Sequence, residues 1–281
     1  MIELSIISTS RGNRDVDFLN LLRSVSNIKN KSAIEFVFYD QSGGACARLV
    51  EQFEINNVKY IDGKPSSLSA ARNKCLEIAC GRYICFADDD AIYDENICNN
   101  LIELVRKYGK NVYIGKVVNA QTGDGYGGRH YKQNIISTLS FEEMITLGLS
   151  LSLFFPRVKD IFFDEELGAG AKYGGSEETD VLLRYAQITS IFYSSTLVVM
   201  HPAEDFNKIS FRKYYNYTIG FSLVMLRAFK SNKRGVFSIM LRLIYRTVGG
   251  VVFSKNRKIY VSRLLGLIMG ACIYVKKMVF S

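Results

Sequence analysis

The stretch from Tyr83 to Asp90, YICFADDD, places three consecutive aspartates directly after a short run of strand-forming and small residues. Such a run predicts a buried strand that delivers Asp88, Asp89 and Asp90 to a loop. Adjacent carboxylates repel one another and resist burial, so they stay ionised only where a cation, water or hydrogen-bond donors compensate them. Alternation along a strand would put Asp88 and Asp90 on one face. The pattern favours a hard divalent ion such as Mg²⁺ or Mn²⁺; a solvated acidic turn, or caps for the next helix, is the alternative.

Strands and helices are predicted to alternate through this part of the chain. Predicted strands are separated by predicted helices in the order strand 3–8, helix 16–25, strand 33–39, helix 47–53, strand 58–61, helix 68–79 and strand 83–87. This alternation predicts a parallel sheet with crossover helices, whose ligands bind beyond the carboxyl ends of the strands. Residues 9–14, Asp40 and the three aspartates all follow predicted strands, so we expect them to lie together.

The segment from residue 95 to residue 185 is less regular. A helix is predicted near 95–107 and a strand near 111–118, while LGLSLSLFFP fits either a buried strand or a core helix. A glycine-rich loop then leads to a helix that begins near Ser176, whose first turn carries Glu177, Glu178 and Asp180. Helix capping alone would account for these acids. The glycine loops match neither a P-loop nor a dinucleotide fingerprint.

Basic charge is concentrated at the C-terminal end. Residues 206–281 contain 15 Lys and Arg and no Asp or Glu; with the remaining 21 basic and all 27 acidic residues, residues 1–205 carry a net charge of −6. Such asymmetry indicates an anionic partner for the basic part. We therefore predict a domain at 1–205 and a basic, apolar helical region at 206–281. The six cysteines form no CxxC pair, and the first residues contain no secretory signal pattern, so a reducing, cytoplasmic setting is expected.

Six segments in one order resemble the inverting family 2 glycosyltransferases of the GT-A fold. They are SIISTSRGNR, FYDQSGG, SLSAARNKCLEIACGRYICFADDD, FDEELG, GGSEETDVLLR and VVMHP, and they cover about residues 3–205. The resemblance implies an α/β fold with a Rossmann-like, mostly parallel sheet flanked by helices, followed here by a helical extension. It also implies transfer of a sugar from a nucleotide-diphosphate donor to an acceptor hydroxyl, with inversion at the anomeric carbon.

The same resemblance implies the residues of the donor site. Thr9, Ser10, Arg11 and Asp40 would hold the base, with the Asp40 carboxylate favouring uracil, and Arg72 would lie near the diphosphate, where its fork suits phosphate oxygens. Asp88 and Asp90 match the family's DxD motif, with Asp88 towards the ribose, Asp90 on Mn²⁺ or Mg²⁺, and Asp89 between them. His201 resembles the histidine that completes the metal site in many relatives; a structural role at a strand end is equally open.

The acceptor side departs from the family pattern. Glu177 and Glu178 occupy the position of the family's ED pair, so the resemblance implies that Glu178 removes the acceptor proton and that Glu177 orients the acceptor. The family more often has Asp where Glu178 stands, and Asp180 remains an alternative base. If the departure has removed the base, the protein would be a catalytically silent nucleotide-sugar-binding scaffold. A nucleotidyltransferase would need an N-terminal glycine-rich phosphate loop, which STSRGNR does not supply.

The partners are only partly indicated by the sequence. The chain has no tryptophan and hence no QxxRW motif of processive synthases, which favours transfer of one sugar to a lipid-linked or glycan acceptor. In residues 206–281, basic side chains alternate with aromatic and aliphatic ones, which suits helices in an anionic membrane interface. Arg242, Arg246 and Arg263 interrupt the apolar runs, so spanning is doubtful. We expect a peripheral or monotopic protein at the cytoplasmic face of the plasma membrane; a packed helical subdomain is the alternative, and a nucleic-acid arm is disfavoured by the apolar content.

Overall fold

Strands and helices alternate through the N-terminal part of the computed structural model, which describes residues 1–133, 136–202 and 210–280. The elements in these ranges are β1 (Leu4–Ser10), α1 (Asp15–Ser26), β2 (Ile34–Asp40), α2 (Ala47–Val50), β3 (Val58–Asp62), α3 (Leu68–Ile78), β4 (Tyr83–Ala87), β5 (Ile92–Tyr93), α4 (Ile97–Tyr108), β6 (Val112–Asn119), β7 (Ile136–Thr138), α5 (Phe141–Leu147), β8 (Leu153–Pro156), α6 (Glu177–Tyr185), β9 (Ile191–His201), α7 (Phe211–Ala228), α8 (Lys233–Phe253) and α9 (Arg257–Phe280).

The strands of the described residues form one mixed sheet in the order β3-β2-β1-β4-β8-β6-β9-β5, with β7 paired to β9. The first four strands in this order are parallel, as predicted, and β8 is antiparallel to both of its neighbours. Ser10 is level with Asp40, and Asp40 with Asp62, so these strands end at one edge of the sheet. Helices flank the sheet, which confirms the predicted α/β class.

Burial explains why the central strands read as continuous apolar runs. Every residue of β2 and β4 is buried, as is typical of parallel strands covered on both faces. Helix α1 buries Phe18, Leu21, Leu22 and Val25, the predicted apolar positions, on one side of the sheet. The ring of Phe18 stacks 4.9 Å from that of Phe38 in β2, which fixes α1 beside the strand.

Several predicted elements differ from the observed ones in length or type. The segment LGLSLSLFFP, for which strand and helix were both open, ends in the buried strand β8. Helix α2 ends at Val50 and so has four residues rather than the seven predicted. Ser176 adopts φ +65°, a left-handed conformation, immediately before α6 begins at Glu177.

The chain divides into two compact units. The sheet unit comprises Met1–Ser66, Ala70–Phe162 and Arg184–Glu204, and the helical unit comprises Ser67–Ser69, Phe163–Leu183 and Asp205–Ser281. Besides residues 205–281, the helical unit takes in two earlier segments of the chain. The boundaries of the functional domains themselves stay a prediction.

Helices α7, α8 and α9 of the helical unit lie within the region 206–281 that was predicted to be helical. Two glycines of α9 allow it to approach α7 closely, since a Cβ on Gly266 would lie 2.7 Å from the Tyr215 carbonyl oxygen and one on Gly270 would lie 2.6 Å from Ser222 Cβ. The Ser222 hydroxyl donates to the Leu267 carbonyl oxygen at 3.1 Å. The GxxxG pattern at 266–270 therefore packs helices within this chain.

Candidate active site

Asp88 and Asp90 are brought together with His201 at the carboxyl edge of the sheet. One potential ligand atom from each of these three side chains lies within 4.8 Å of those of the other two. Strand β4 ends at Ala87, so a turn, closed by the Ala91 N–H donating to the Asp88 carbonyl oxygen at 3.1 Å, brings the two aspartates together. Asp88 and Asp90 therefore converge through this turn, and not through the alternation of a strand on which the prediction was based.

His201 is held in an orientation that suits a metal ligand. Its Nδ1 lies 2.8 Å from the Pro202 carbonyl oxygen, and with Nδ1 as the donor, the lone pair of Nε2 is free. Nε2 lies 2.9 Å from Asp90 Oδ1. Apart from this contact with His201, that buried oxygen accepts no hydrogen bond from the residues that the structure describes. Two electron-rich atoms that face each other at this distance call for a proton or a cation between them, so these residues fit a divalent ion.

Opposite charges in this cluster favour one another's ionised forms, against the effect of burial. Burial alone would raise the pKa of Asp90, but His201 and Arg14 hold it below its ordinary value. Burial lowers the pKa of His201, yet the Asp90 carboxylate outweighs this effect and the pKa lies above its ordinary value. Burial raises the pKa of Asp89, against the opposing effect of Arg14. The protein thus stabilises a negative charge on Asp90 in particular.

Asp89 and Asp90 also contact the loop that follows β1. The hydroxyl of Ser10, the last residue of β1, donates to Asp89 Oδ2 at 3.1 Å, so the end of β1 lies at the aspartate turn, as predicted. Arg14 Nη1 lies 2.6 Å from Asp90 Oδ2 and 3.5 Å from Asp89 Oδ1. Arg14 was not among the predicted site residues. Its place in the loop STSRGNR, directly after a strand, was the available signal, but the sequence does not show which way a side chain turns.

Arg72 lies at the cluster but is itself buried. Its side chain is 2% exposed, and Nη2 donates to Asp88 Oδ1 and to the Ser150 hydroxyl, each at 3.1 Å. Its guanidinium lies over the ring of Phe86, 5.2 Å from the centroid. A fixed guanidinium beside Asp88 is consistent with the predicted location near the diphosphate.

The remaining residues predicted to hold the base occupy the same sheet edge. Thr9 is half-buried, and Arg11 is exposed and donates to the Ser66 carbonyl oxygen at 2.9 Å. Asp40 is fully buried; Oδ1 accepts from the Ser42 N–H and hydroxyl, and Oδ2 accepts from the Ala47 N–H and the Tyr60 hydroxyl. A base N–H could therefore reach Asp40 only by displacing one of these donors.

The predicted acceptor-side residues belong to the helical unit, at the start of α6. Glu177 is buried at 6% exposure, whereas Glu178 and Asp180 are half-buried. Arg227 of α7 lies 2.7 Å from an Asp164 oxygen and 3.8 Å from Asp180 Oδ1. Acids in the first turn are favourable towards the helix dipole whatever else they do. Their chemical roles stay predictions.

Two solved structures share this fold at low sequence identity. Residues 1–349 of S. aureus TarS in complex with UDP-GlcNAc superpose with a TM-score of 0.70 at 17% identity, covering 96% of this chain and 81% of TarS 1–349. The mannosyltransferase PcManGT from Pyrobaculum calidifontis, solved with GDP-Man and Mn²⁺, gives 0.61 at 10% identity, covering 97% and 87%. These likenesses establish a shared GT-A fold.

The sequence comparisons identify the family directly. No curated protein matches the chain by sequence. The profile of glycosyl transferase family 2 matches residues 13–162, more than half of the chain, and this range contains the aspartate turn and Arg72. The protein therefore belongs to glycosyl transferase family 2 and is a glycosyltransferase with the GT-A fold.

Proposed function

We propose that the protein transfers one sugar from a nucleotide-diphosphate donor, with UDP favoured, to an acceptor hydroxyl, with inversion at the anomeric carbon. The observation that carries this proposal is the Asp88, Asp90 and His201 cluster at the carboxyl edge of a family 2 sheet. These residues would hold Mn²⁺ or Mg²⁺, which would neutralise charge on the leaving diphosphate. TarS with UDP-GlcNAc and PcManGT with GDP-Man and Mn²⁺ support a nucleotide-sugar donor.

The donor would lie along the edge formed by β2, β1 and β4. Thr9, Ser10 and Arg11 would hold the nucleoside, Asp88 would face the ribose, with Asp89 the intervening residue of the donor site, and Arg72 would stabilise the diphosphate. At Asp40, the Tyr60 hydroxyl is the partner that a uracil N–H can most easily replace, because Tyr60 is 40% exposed whereas the other donors belong to the loop that Asp40 holds.

The acceptor hydroxyl would be activated by the first turn of α6. Glu178 would take the hydroxyl proton as the acceptor oxygen bonds to the anomeric carbon and the bond from that carbon to the diphosphate oxygen breaks. Glu177 would orient the acceptor. Asp180, whose Oδ1 lies 3.8 Å from Arg227 Nη1, is the substitute base.

Substitutions of the proposed metal ligand Asp90 and of the proposed base Glu178 test this proposal. The assay measures sugar transferred from labelled UDP-sugars to lipid acceptors in a membrane extract. Asp90→Ala is expected to abolish transfer, and Glu178→Gln is expected to lower kcat by about 10²–10⁴-fold while nucleotide binding persists. Glu103→Gln, an exposed change in α4, is the matched control.

The outcomes separate an enzyme from a silent scaffold. Transfer that survives both Glu178→Gln and Asp180→Asn would refute the assignment of the base to α6. A wild-type protein that binds UDP, with an affinity that Asp90→Ala changes, but transfers no sugar to any acceptor would be the nucleotide-sugar-binding scaffold instead.

We further propose that α8 and α9 bind an anionic membrane surface. Both helices are long and apolar enough to cross a membrane. In their most apolar 18-residue segments, only 11% of α8 and 22% of α9 is buried within the protein. The exposed apolar side chains of α8 recur at helical spacing along one face: Phe237, Leu241, Ile244, Tyr245, Val248 and Val252. Those of α9 follow the same spacing: Val261, Leu265, Ile268, Met269 and Val275. Mostly exposed apolar faces disfavour the alternative of a buried core subdomain.

Charge indicates which partner covers these faces. Residues 210–280 contain no acidic residue, and Arg242, Arg246, Lys255, Arg257 and Lys258 accompany the apolar side chains on α8 and at the start of α9. Apolar faces with basic flanks are suited to anionic headgroups, with the long basic side chains extending to the surface. The proposed location is the cytoplasmic face of the plasma membrane, where a lipid-linked glycan acceptor would be presented.

The absence of tryptophan from the chain makes this proposal directly testable. Phe237→Trp places a single fluorophore on the α8 face, and Phe162→Trp places one on an exposed site of the sheet unit, where Phe162 is 40% exposed. Vesicles that contain phosphatidylglycerol should shift only the Phe237→Trp emission to shorter wavelength, and more strongly at low salt. No shift with vesicles, or an equal shift that depends on protein concentration alone, would contradict membrane binding and indicate self-association.

A further inference from the structure

Arg14 presents a positive charge to the carboxylate that the proposed metal ion would use. Its backbone is fixed at the start of α1, where the Phe18 N–H donates to the Arg14 carbonyl oxygen at 2.9 Å. Its guanidinium lies 2.6 Å from Asp90 Oδ2, and its side chain is 51% exposed. The anchor of Arg14 is therefore rigid, while its charged end has room to move.

The two oxygens of Asp90 have different surroundings. Oδ2 pairs with Arg14, while Oδ1 is buried, lies 2.9 Å from His201 Nε2, and accepts no other hydrogen bond within the described parts of the chain. A divalent ion on Oδ1 would thus share one carboxylate with a guanidinium. The guanidinium and the ion would be like charges on the two oxygens of one carboxylate, and charges so close repel appreciably even in water. The ion therefore binds more weakly while Arg14 stays at Asp90.

A diphosphate would remove this repulsion. Its negative charge attracts both cations, and a guanidinium has five donors, so Arg14 can turn from Asp90 to phosphate oxygens. Arg72 has no such freedom, because it is 2% exposed and donates to Asp88 and Ser150. The exposure of Arg14 is what distinguishes the two arginines of the cluster.

From this difference we infer that Arg14 couples metal binding to donor binding. Without nucleotide its charge opposes the ion at Asp90, and with nucleotide it moves to the diphosphate and no longer opposes the ion. The site then binds metal and donor as a pair and holds little free metal. This inference rests on the proposed function, since it assumes a diphosphate at this edge.

The experiment measures the Mn²⁺ affinity of the full chain by calorimetry, without UDP and with saturating UDP. The variants are Arg14→Gln, Arg14→Lys, which keeps the charge, and Arg23→Ala, which removes an exposed arginine within α1 that donates to Asn20. Arg14→Gln should bind Mn²⁺ alone about tenfold more tightly than the wild type, and the gain on adding UDP should shrink by about the same factor. Arg14→Lys should keep most of the wild-type gain, and Arg23→Ala all of it.

A reciprocal measurement checks the result, and different outcomes would refute the inference or the proposed function. Coupling is reciprocal, so the gain in UDP affinity on adding Mn²⁺ must shrink by the same factor in Arg14→Gln. Unchanged Mn²⁺ affinity and coupling in Arg14→Gln, or weaker Mn²⁺ binding both with and without UDP, would overturn the inference while the proposed function stands. A wild-type chain that binds no nucleotide with Mn²⁺ present would overturn both.

Discussion

Replacing Glu35 by glutamine removes a buried negative charge at the amino edge of the sheet, opposite the aspartate turn. The Glu35 side chain is 1% exposed and receives five donors: the Ser5 hydroxyl at 2.5 Å, the Cys80 N–H at 2.6 Å, the Cys80 thiol at 3.1 Å, the Gly81 N–H at 3.1 Å and Lys59 Nζ at 2.9 Å. These contacts join the beginnings of β1, β2 and β3 to the end of α3. Glutamine preserves the shape but turns a donor towards Lys59.

The size of the effect follows from the ionisation of Glu35. Burial alone would raise its pKa, but the hydrogen bonds from Lys59, Ser5 and Cys80 lower it to about 2, from an ordinary 4.5. A difference of this size corresponds to about 3 kcal/mol of folding stability at neutral pH. Because the folded pKa is the lower one, this contribution is complete above about pH 4.5 and is lost as the pH falls towards 2.

Urea unfolding of wild-type protein and Glu35→Gln measures this contribution directly. The wild type should be more stable by about 2–3 kcal/mol at pH 7, and the gap should narrow by about 1.4 kcal/mol near pH 3.5. Glu95→Gln is the matched control, since Glu95 pairs with Lys29 at 2.6 Å with 53% of its side chain exposed, and little change is expected there. Equal stability of Glu35→Gln and wild type at pH 7, or a gap that does not vary with pH, would refute the reasoning.

Three further substitutions test the packing and capping of helices, and each is measured by its effect on the unfolding midpoint. Gly220→Ala should destabilise the protein by about 1–3 kcal/mol, because a Cβ there would lie 2.4 Å from the Gly174 carbonyl oxygen. A Cβ on Gly249 in α8 has no other atom within 4 Å, so Gly249→Ala should stabilise the helix by up to about 1 kcal/mol. Destabilisation equal to that of Gly220→Ala would contradict the open surroundings of Gly249. Ser140→Ala removes the capping box of α5 with Glu143 and should cost about 1 kcal/mol, and no loss would show that the cap is not needed.

Much of the fold could be predicted because local patterns and burial agree. The apolar runs of β1, β2 and β4 and the spacing of Phe18, Leu21, Leu22 and Val25 in α1 indicate their places in a parallel sheet. The convergence of Ser10, Asp40 and Asp88 followed from the shared edge of parallel strands. The type of β8 could not be predicted, since a short apolar run fits a strand and a buried helix equally well.

The parts of the site that escaped prediction depend on the directions of side chains. Arg14 reaches Asp90, whereas Arg11 in the same loop turns to Ser66. Asp40 lies where the sequence predicted, but its carboxylate is enclosed by Ser42, Ala47 and Tyr60, a set of contacts that no local pattern encodes. Residue type and strand order indicate which groups meet at an edge; packing decides which atoms face the ligand.

The measurement that tests the central claim most directly is calorimetric titration of UDP, GDP and dTDP, first with Mn²⁺ and then with EDTA, into wild-type protein and Asp90→Asn. Asp124→Asn, which changes an exposed loop aspartate, is the control. We predict that UDP binds most tightly, that EDTA weakens its binding, and that Asp90→Asn removes this dependence on metal while Asp124→Asn retains it. Failure of all three nucleotides to bind wild-type protein with Mn²⁺ present, or identical UDP affinity with EDTA, would contradict a metal and nucleotide-sugar site at the aspartate turn.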